Sequence, residues 1–326
     1  MIKKFKGFTL VELIVVMVII SILMLGIMQM FKPIRTLYVD STLNETQRTA
    51  QNGISQYVTE SVRYATDLGI YTKGGSITSA EKAVDAFAEQ YLFDNGIYSA
   101  NCTETTPGAS GFTIQADADY AAKLAKTKNK IRACAEVIII DNTKIKYNGT
   151  DCSGRILRRK VTPPAKGTTI DSAYISANAS ATVPADPTYD AGKSTLTATS
   201  AKNWRISLGT AYYGENTYNI SVTIPTTTTR SYSLGGTSKS INKPDSGMID
   251  INVASTNNGK RDLSTKDTKT NIEAIKTNGG VLCRNLQAGG MYHVDNFTST
   301  TTAAGSVTYI VFINDEIKIT KDDKLE

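Results

Sequence analysis

Leu13 to Phe31 is a run of nineteen residues without a charge, LIVVMVIISILMLGIMQMF, and no other stretch limits the chain so strongly. As a helix it extends about 28 Å, close to the hydrocarbon thickness of a bilayer, so it can cross a membrane. A secretory signal peptide has a shorter apolar core followed by a small-residue cleavage site. Here Gln29-Met30-Phe31-Lys32-Pro33 follows with no such site, so the segment is expected to stay attached. Lys3, Lys4 and Lys6 precede the run and favour a cytoplasmic N-terminus, although Lys32 and Arg35 on the far side weaken the bias. The expected topology is N-terminus in, remainder out.

One residue sits badly with that picture. Glu12 opens the apolar run, and a carboxylate costs about 2.5 to 3.5 kcal/mol at the centre of a bilayer and less near its surface. A helix N-terminus offsets part of this, because its free N–H groups and macrodipole favour negative charge. The residues around it, KGFTLVELIVVMVIISIL, resemble the class III signal of type IV prepilins, pseudopilins and competence pilins. The likeness lies in a short basic leader, Gly7 before the cut, Phe8 as the new first residue, Glu12 four residues later, and unbroken apolar sequence after it. The resemblance implies that prepilin peptidase cleaves after Gly7 and methylates the amine of Phe8. It also implies that in a filament Glu12 faces the Phe8 amine of a neighbouring subunit, where two opposite charges offset each other's desolvation only when both are present.

Helical spacing continues past the apolar run. Leu43, Ala50, Ile54, Tyr57, Val58, Val62, Ala65 and Leu68 recur at steps of three and four, with Glu45, Gln47, Arg48, Gln51, Glu60 and Arg63 on other faces. One helix is expected to about Asp67, ended by Gly69, some 60 residues and roughly 90 Å long. Pro33 is expected to bend or open it locally. The division of the chain is then a leader at 1–7, a membrane or filament-core helix at 8–31, an amphipathic stalk at 32–68 and a head at 69–326. Such a stalk under a head is also what the resemblance implies.

Within the head, AEKAVDAFAEQYL at 80–92 reads as a helix with Ala83, Val84, Phe87 and Tyr91 on one face, expected to pack on the stalk. From about residue 130 strands take over. EVIIIDNTKIKYNG reads as a hairpin turning at Asn142 to Lys144, and Trp204–Leu208, Thr217–Ile224, Gly247–Val253, VTYIVFI and EIKIT are further strands. The stretch 162–202, rich in Ala, Thr, Ser and Pro, reads as an exposed excursion or short edge strands, and TTTTR (226–230) and TSTTT (298–302) as loops or strand ends. The expected class is α+β and pilin-like: a long N-terminal helix, then a mainly antiparallel β head.

Four cysteines allow three pairings. In a hairpin turning at Asn142 to Lys144, Cys134 and Cys152 fall opposite one another, which nominates that pair and leaves Cys102 with Cys283. A one-residue shift of the turn would send the two thiols to opposite faces.

Little in the head suggests chemistry. His293 is the only histidine, so a multi-histidine zinc site is excluded. Gly192-Lys193-Ser194 lacks the strand and first glycine of a phosphate loop. Asp117 with Asp119, and Asp322 with Asp323, lack the spacing of a calcium loop. No metal, cofactor or catalytic residue is expected. The reading is a structural subunit, a minor pilin or pseudopilin of a pilus, competence or secretion filament, with other pilin subunits, prepilin peptidase, the membrane and its assembly platform as partners. About 319 residues after loss of the leader is large for a major pilin. The alternative is a filament-borne adhesin or a DNA-binding competence subunit. For DNA the candidate contact is the densest basic cluster, RILRRK, through Arg158, Arg159 and Lys160.

Overall fold

The computed structural model describes residues 9–94, 103–104, 111–114, 118–143, 145–147, 150–159, 161, 164–178, 183, 185–190, 195–207, 216–223, 227–234, 237–244, 247–257, 275–282, 291–293 and 305–314. The chain begins with α1 (Leu10–Val62), β1 (Ala65–Thr72), α2 (Ala80–Asp94), β2 (Thr103–Glu104), β3 (Gly111–Ile114) and α3 (Ala118–Cys134). There follow β4 (Glu136–Asp141), β5 (Ile145–Tyr147), β6 (Thr150–Cys152), β7 (Arg155–Arg159), α4 (Ser172–Ala177), α5 (Ala198–Ala201) and β8 (Arg205–Ile206). The last strands are β9 (Asn216–Thr223), β10 (Thr227–Leu234), β11 (Thr237–Pro244), β12 (Met248–Asn257), β13 (Ile275–Leu282), β14 (Met291–His293) and β15 (Val307–Asn314).

The fold is α+β. Among the described residues ten strands form one sheet, in the order β2-β3-β10-β11-β14-β1-β15-β4-β7-β8, and three form a second, β13-β12-β9. Pairing is antiparallel except for β1 with β14 and β3 with β10. Side-chain alternation in the central strands divides the core in two. Leu68, Ile70, Ile138, Ile140, Ile156, Ile310 and Phe312 face one way, against Ala50, Ile54, Val58 and Val62 of α1. Tyr71, Val137, Ile139, Leu157, Tyr309, Val311 and Ile313 face the other way, against α2 and the end of α3.

The second sheet closes over α1 from the opposite side. Tyr218, Ile220, Val222, Ile249, Ile251 and Val253 join the same cluster as Ile54 and Val58, so the last third of α1 is held between two sheets. Gln51 Nε2 donates to Ser255 Oγ across that contact at 2.7 Å, which lets a polar side chain be fully buried in an apolar layer. A seam joins the sheets along the outer edge of β9. Asn142 donates from Nδ2 to the Ile220 carbonyl and accepts the Ile220 N–H on Oδ1, while Ser153 Oγ donates to the Tyr218 carbonyl. Gly154 lies beside this seam with φ +76°, and a Cβ there would come within 2.5 Å of the Tyr218 carbonyl oxygen, so only glycine fits.

The helix at 80–92, the strands at 217–224 and 247–253 and the strand VTYIVFI form as expected. Other expectations are corrected. α1 stops at Val62, not Asp67, because ATDLGIYT is claimed by the centre of the sheet, between β15 and β14. Gly69 therefore does not end a helix. It lies in β1, where a Cβ would come within 2.7 Å of both Tyr71 and Phe87. The helix α2 packs on the face of the sheet away from α1, against α3, and not on the stalk. The helix continues through Pro33 without interruption.

The expected hairpin after Asp141 does not form either. β4 pairs with β7 and β15, Ile139 facing Leu157 rather than Tyr147, and β5 pairs with β6. WRISL contributes only the two residues of β8, and TTTTR enters β10 as strand. EIKIT and TSTTT lie outside the described residues.

The stretch 162–202 is no loose excursion where it is described. It leaves β7, crosses the α2 face and returns as β8, which pairs with β7. Val183 and Trp204 are buried on that face, and the Trp204 Nε1 donates to the Ala185 carbonyl at 2.9 Å.

Candidate functional site

The helix that opens the described chain is shaped by its first two polar residues. Thr9 is the N-cap: its N–H and its hydroxyl both donate to Glu12 Oε2 at 3.0 Å, and Glu12 N–H donates back to Thr9 Oγ1 at 3.4 Å. This reciprocal capping box satisfies helix-end donors that lipid could not. Its signature, T-x-x-E ahead of an apolar run, is legible in TLVE. Gly7 and Phe8 lie outside the described residues.

From Leu10 the side chains have nothing of their own fold to pack on. Every residue from Leu10 to Phe31 is exposed, the large apolar ones from 45% for Val16 to 76% for Leu10. The span Leu10–Arg35 contains an 18-residue window with a mean hydropathy of 3.0, and it is long and apolar enough to cross a membrane. Ile34, Leu37 and Tyr38 are exposed as well, and among the side chains described burial begins at Gln47, where the head takes hold of the same helix. So one helix carries two surfaces: an N-terminal length that buries nothing within the chain, and a C-terminal length that is core.

The candidate DNA contact is corrected. Arg158 reaches Glu136 through Nε at 2.8 Å and through Nη2, and donates to Ser61 Oγ at 3.0 Å. Arg159 is 3% exposed and donates to the Arg132 and Ala135 carbonyls at the end of α3, where burial lowers its pKa to about 10. Both guanidiniums are spent inside the fold and are not presented to a polyanion. Lys160 lies outside the described residues.

The cysteine pairing is corrected too. Cys134 ends α3 and does not sit in a strand, so the register that would face it to Cys152 is absent. It is a free buried thiol donating to the Lys130 carbonyl at 3.0 Å, and burial pushes it up to about 12. Cys152 pairs with Ile145 in β6. Cys102 and Cys283 lie outside the described residues.

Two polar centres were not legible in advance. Asp186 accepts from the Ala80 N–H at 2.7 Å on one oxygen, and from Lys73 Nζ at 3.0 Å and Tyr309 Oη at 2.6 Å on the other. Burial and the Asp186 carboxylate together raise the Tyr309 hydroxyl far above the ordinary phenol range. Arg155, 2% exposed, pairs with Asp141 at 2.6 Å and lies 3.8 Å from the Tyr189 ring. Both centres tie the crossing segment to the sheet. Among the described residues no cluster of three His, Cys, Asp or Glu could hold a metal.

Residues 2–28 match the family model of the prokaryotic N-terminal methylation motif. No curated protein and no solved structure matches the chain.

Proposed function

We propose that the chain is the precursor of a structural filament subunit, a large minor pilin or pseudopilin. It is cut after Gly7 by prepilin peptidase, methylated on Phe8, drawn from the membrane by an assembly machine and polymerised through its N-terminal helix. The methylation motif carries this reading, because it is continuous with an apolar helix that buries nothing in its own fold. In the membrane that surface meets lipid, and in a filament it meets identical helices. Glu12 then acts as a register device, paired with the Phe8 amine of a neighbour. The head stays outside the cytoplasm and does no chemistry of its own.

A DNA-uptake role loses its nominated contact, since Arg158 and Arg159 are engaged within the fold. The test is mass spectrometry of the mature protein from membrane and sheared surface fractions. An N-methylated Phe8 terminus is expected. A chain that keeps Met1 in both fractions would overturn the assignment.

A further inference from the structure

The two sheets leave one strip of α1 uncovered at the level of the head. Glu45, Arg48, Asn52, Gln56, Glu60 and Arg63 are all exposed, and steps of three and four residues place them within about a third of the helix circumference. Gln47, Ala50, Gln51, Ile54, Ser55, Val58 and Val62, on the other faces, are buried. The strip bears no large apolar side chain. It carries an acid followed by a base at each end, Glu45 with Arg48 and Glu60 with Arg63, and its four charges cancel. Among the described residues none of the four forms an ion pair within the chain, and Glu60 only accepts from Gln56 Nε2 at 2.8 Å.

We infer that this strip is a contact surface for a second copy of the chain, with Arg48 of one copy pairing with Glu60 of the next. The inference rests on the filament reading, in which copies lie parallel and displaced along their helices. A parallel copy displaced by twelve residues, about 18 Å, brings Arg48 level with Glu60. The two ends of the strip then play different parts, one giving and one receiving. Such a contact is heterologous and propagates along a filament instead of closing a dimer. A strip of uniform sign would repel its copy. This one is neutral overall and complementary to itself at an offset, which is the argument for a second copy over a partner of unlike charge. Being polar and exposed, each contact is weak and salt-sensitive, and its effect comes from repetition.

The test is charge reversal in the full-length chain, read as the amount of subunit in sheared surface filaments. Arg48→Glu and Glu60→Arg should each lower incorporation by about fivefold. The double variant Arg48→Glu/Glu60→Arg should recover it, since the pair is restored with its polarity exchanged. Leader cleavage and the thermal midpoint of the head should stay unchanged in all three, because the side chains are exposed. Singles that assemble as the parent does, or a folded double variant that stays as poor as the singles, would overturn the pairing. A parent chain that is never cleaved and never enters filaments would instead sink the filament reading on which it rests.

Discussion

Two single residues in this chain hold charge or proton against their surroundings, in different ways. Glu12 is capped by Thr9 within its own chain, so the isolated subunit already gives its carboxylate two donors. Glu12→Val should therefore leave membrane insertion intact, since it removes a charge from lipid, while incorporation into filaments falls because the Phe8 amine of a neighbour loses its partner. Membrane and sheared fractions measured side by side separate the two steps, and normal incorporation would rule the pairing out. Cys134 is the opposite case, a thiol kept neutral by burial and pushed up to about 12. The native protein should resist alkylation at this site at pH 8 and react only after unfolding. The folded state holds a proton that the unfolded chain releases near pH 8.5. This contribution to stability is complete below that pH and is lost as pH rises from there towards 12. A denaturation series across that window in the Cys134→Ala variant should lose this part of the slope.

At the scale of elements, α2 depends on a residue more than a hundred positions away. Asp186 accepts the Ala80 N–H at the start of the helix while also holding Lys73, just after β1, and Tyr309 of β15. Asp186→Ala removes a distant helix cap and leaves the fully buried Tyr309 side chain without the acceptor of its hydroxyl. We expect a loss of about 2 to 3 kcal/mol in chemical denaturation, with Trp204, the only tryptophan, reporting the release of the crossing segment. Asp186→Asn, which can still accept from Ala80, should lose less. What was legible beforehand follows the same division between local and distant causes. α2 was readable because Ala83, Val84, Phe87 and Tyr91 repeat at helical spacing and all four are buried. α3 was not, because AAKLAKTKNKIR is mostly charged and small, and only Tyr120, Thr127, Lys130, Ile131, Ala133 and Cys134 turn inward. The hairpin after Asp141 failed because β4 had two better neighbours from far along the chain, β7 and β15, which local turn chemistry does not reveal. At the candidate site, the motif residues were readable because they act through local pattern. Arg158 and Arg159 misled because a basic run looks the same whether its guanidiniums meet solvent or cap a buried helix.

The whole molecule is organised by where α1 changes company. Up to Tyr38 its large apolar side chains bury nothing within the chain, whereas Ala50, Ile54, Val58 and Val62 are core residues gripped between two sheets. Stability and assembly are therefore carried by different lengths of one helix, and a cut between them should separate the two. A chain lacking residues 1–38 removes the exposed apolar length and none of the core. It should be soluble without detergent and unfold cooperatively at a midpoint close to that of the full-length protein in detergent. A chain lacking residues 1–64 deletes the layer between the sheets and exposes Leu68, Ile70, Ile220 and Ile251 together. It should fail to fold, because each large aliphatic lost from such a layer costs about 2 to 5 kcal/mol, and a domain of this kind holds only about 5 to 15 kcal/mol in all. Within the shorter truncation, Ile54→Ala should lower stability by about 2 to 5 kcal/mol although the helix has lost its membrane half. If the chain starting after residue 64 melted as sharply as the one starting after residue 38, α1 would be a tether and not part of the core.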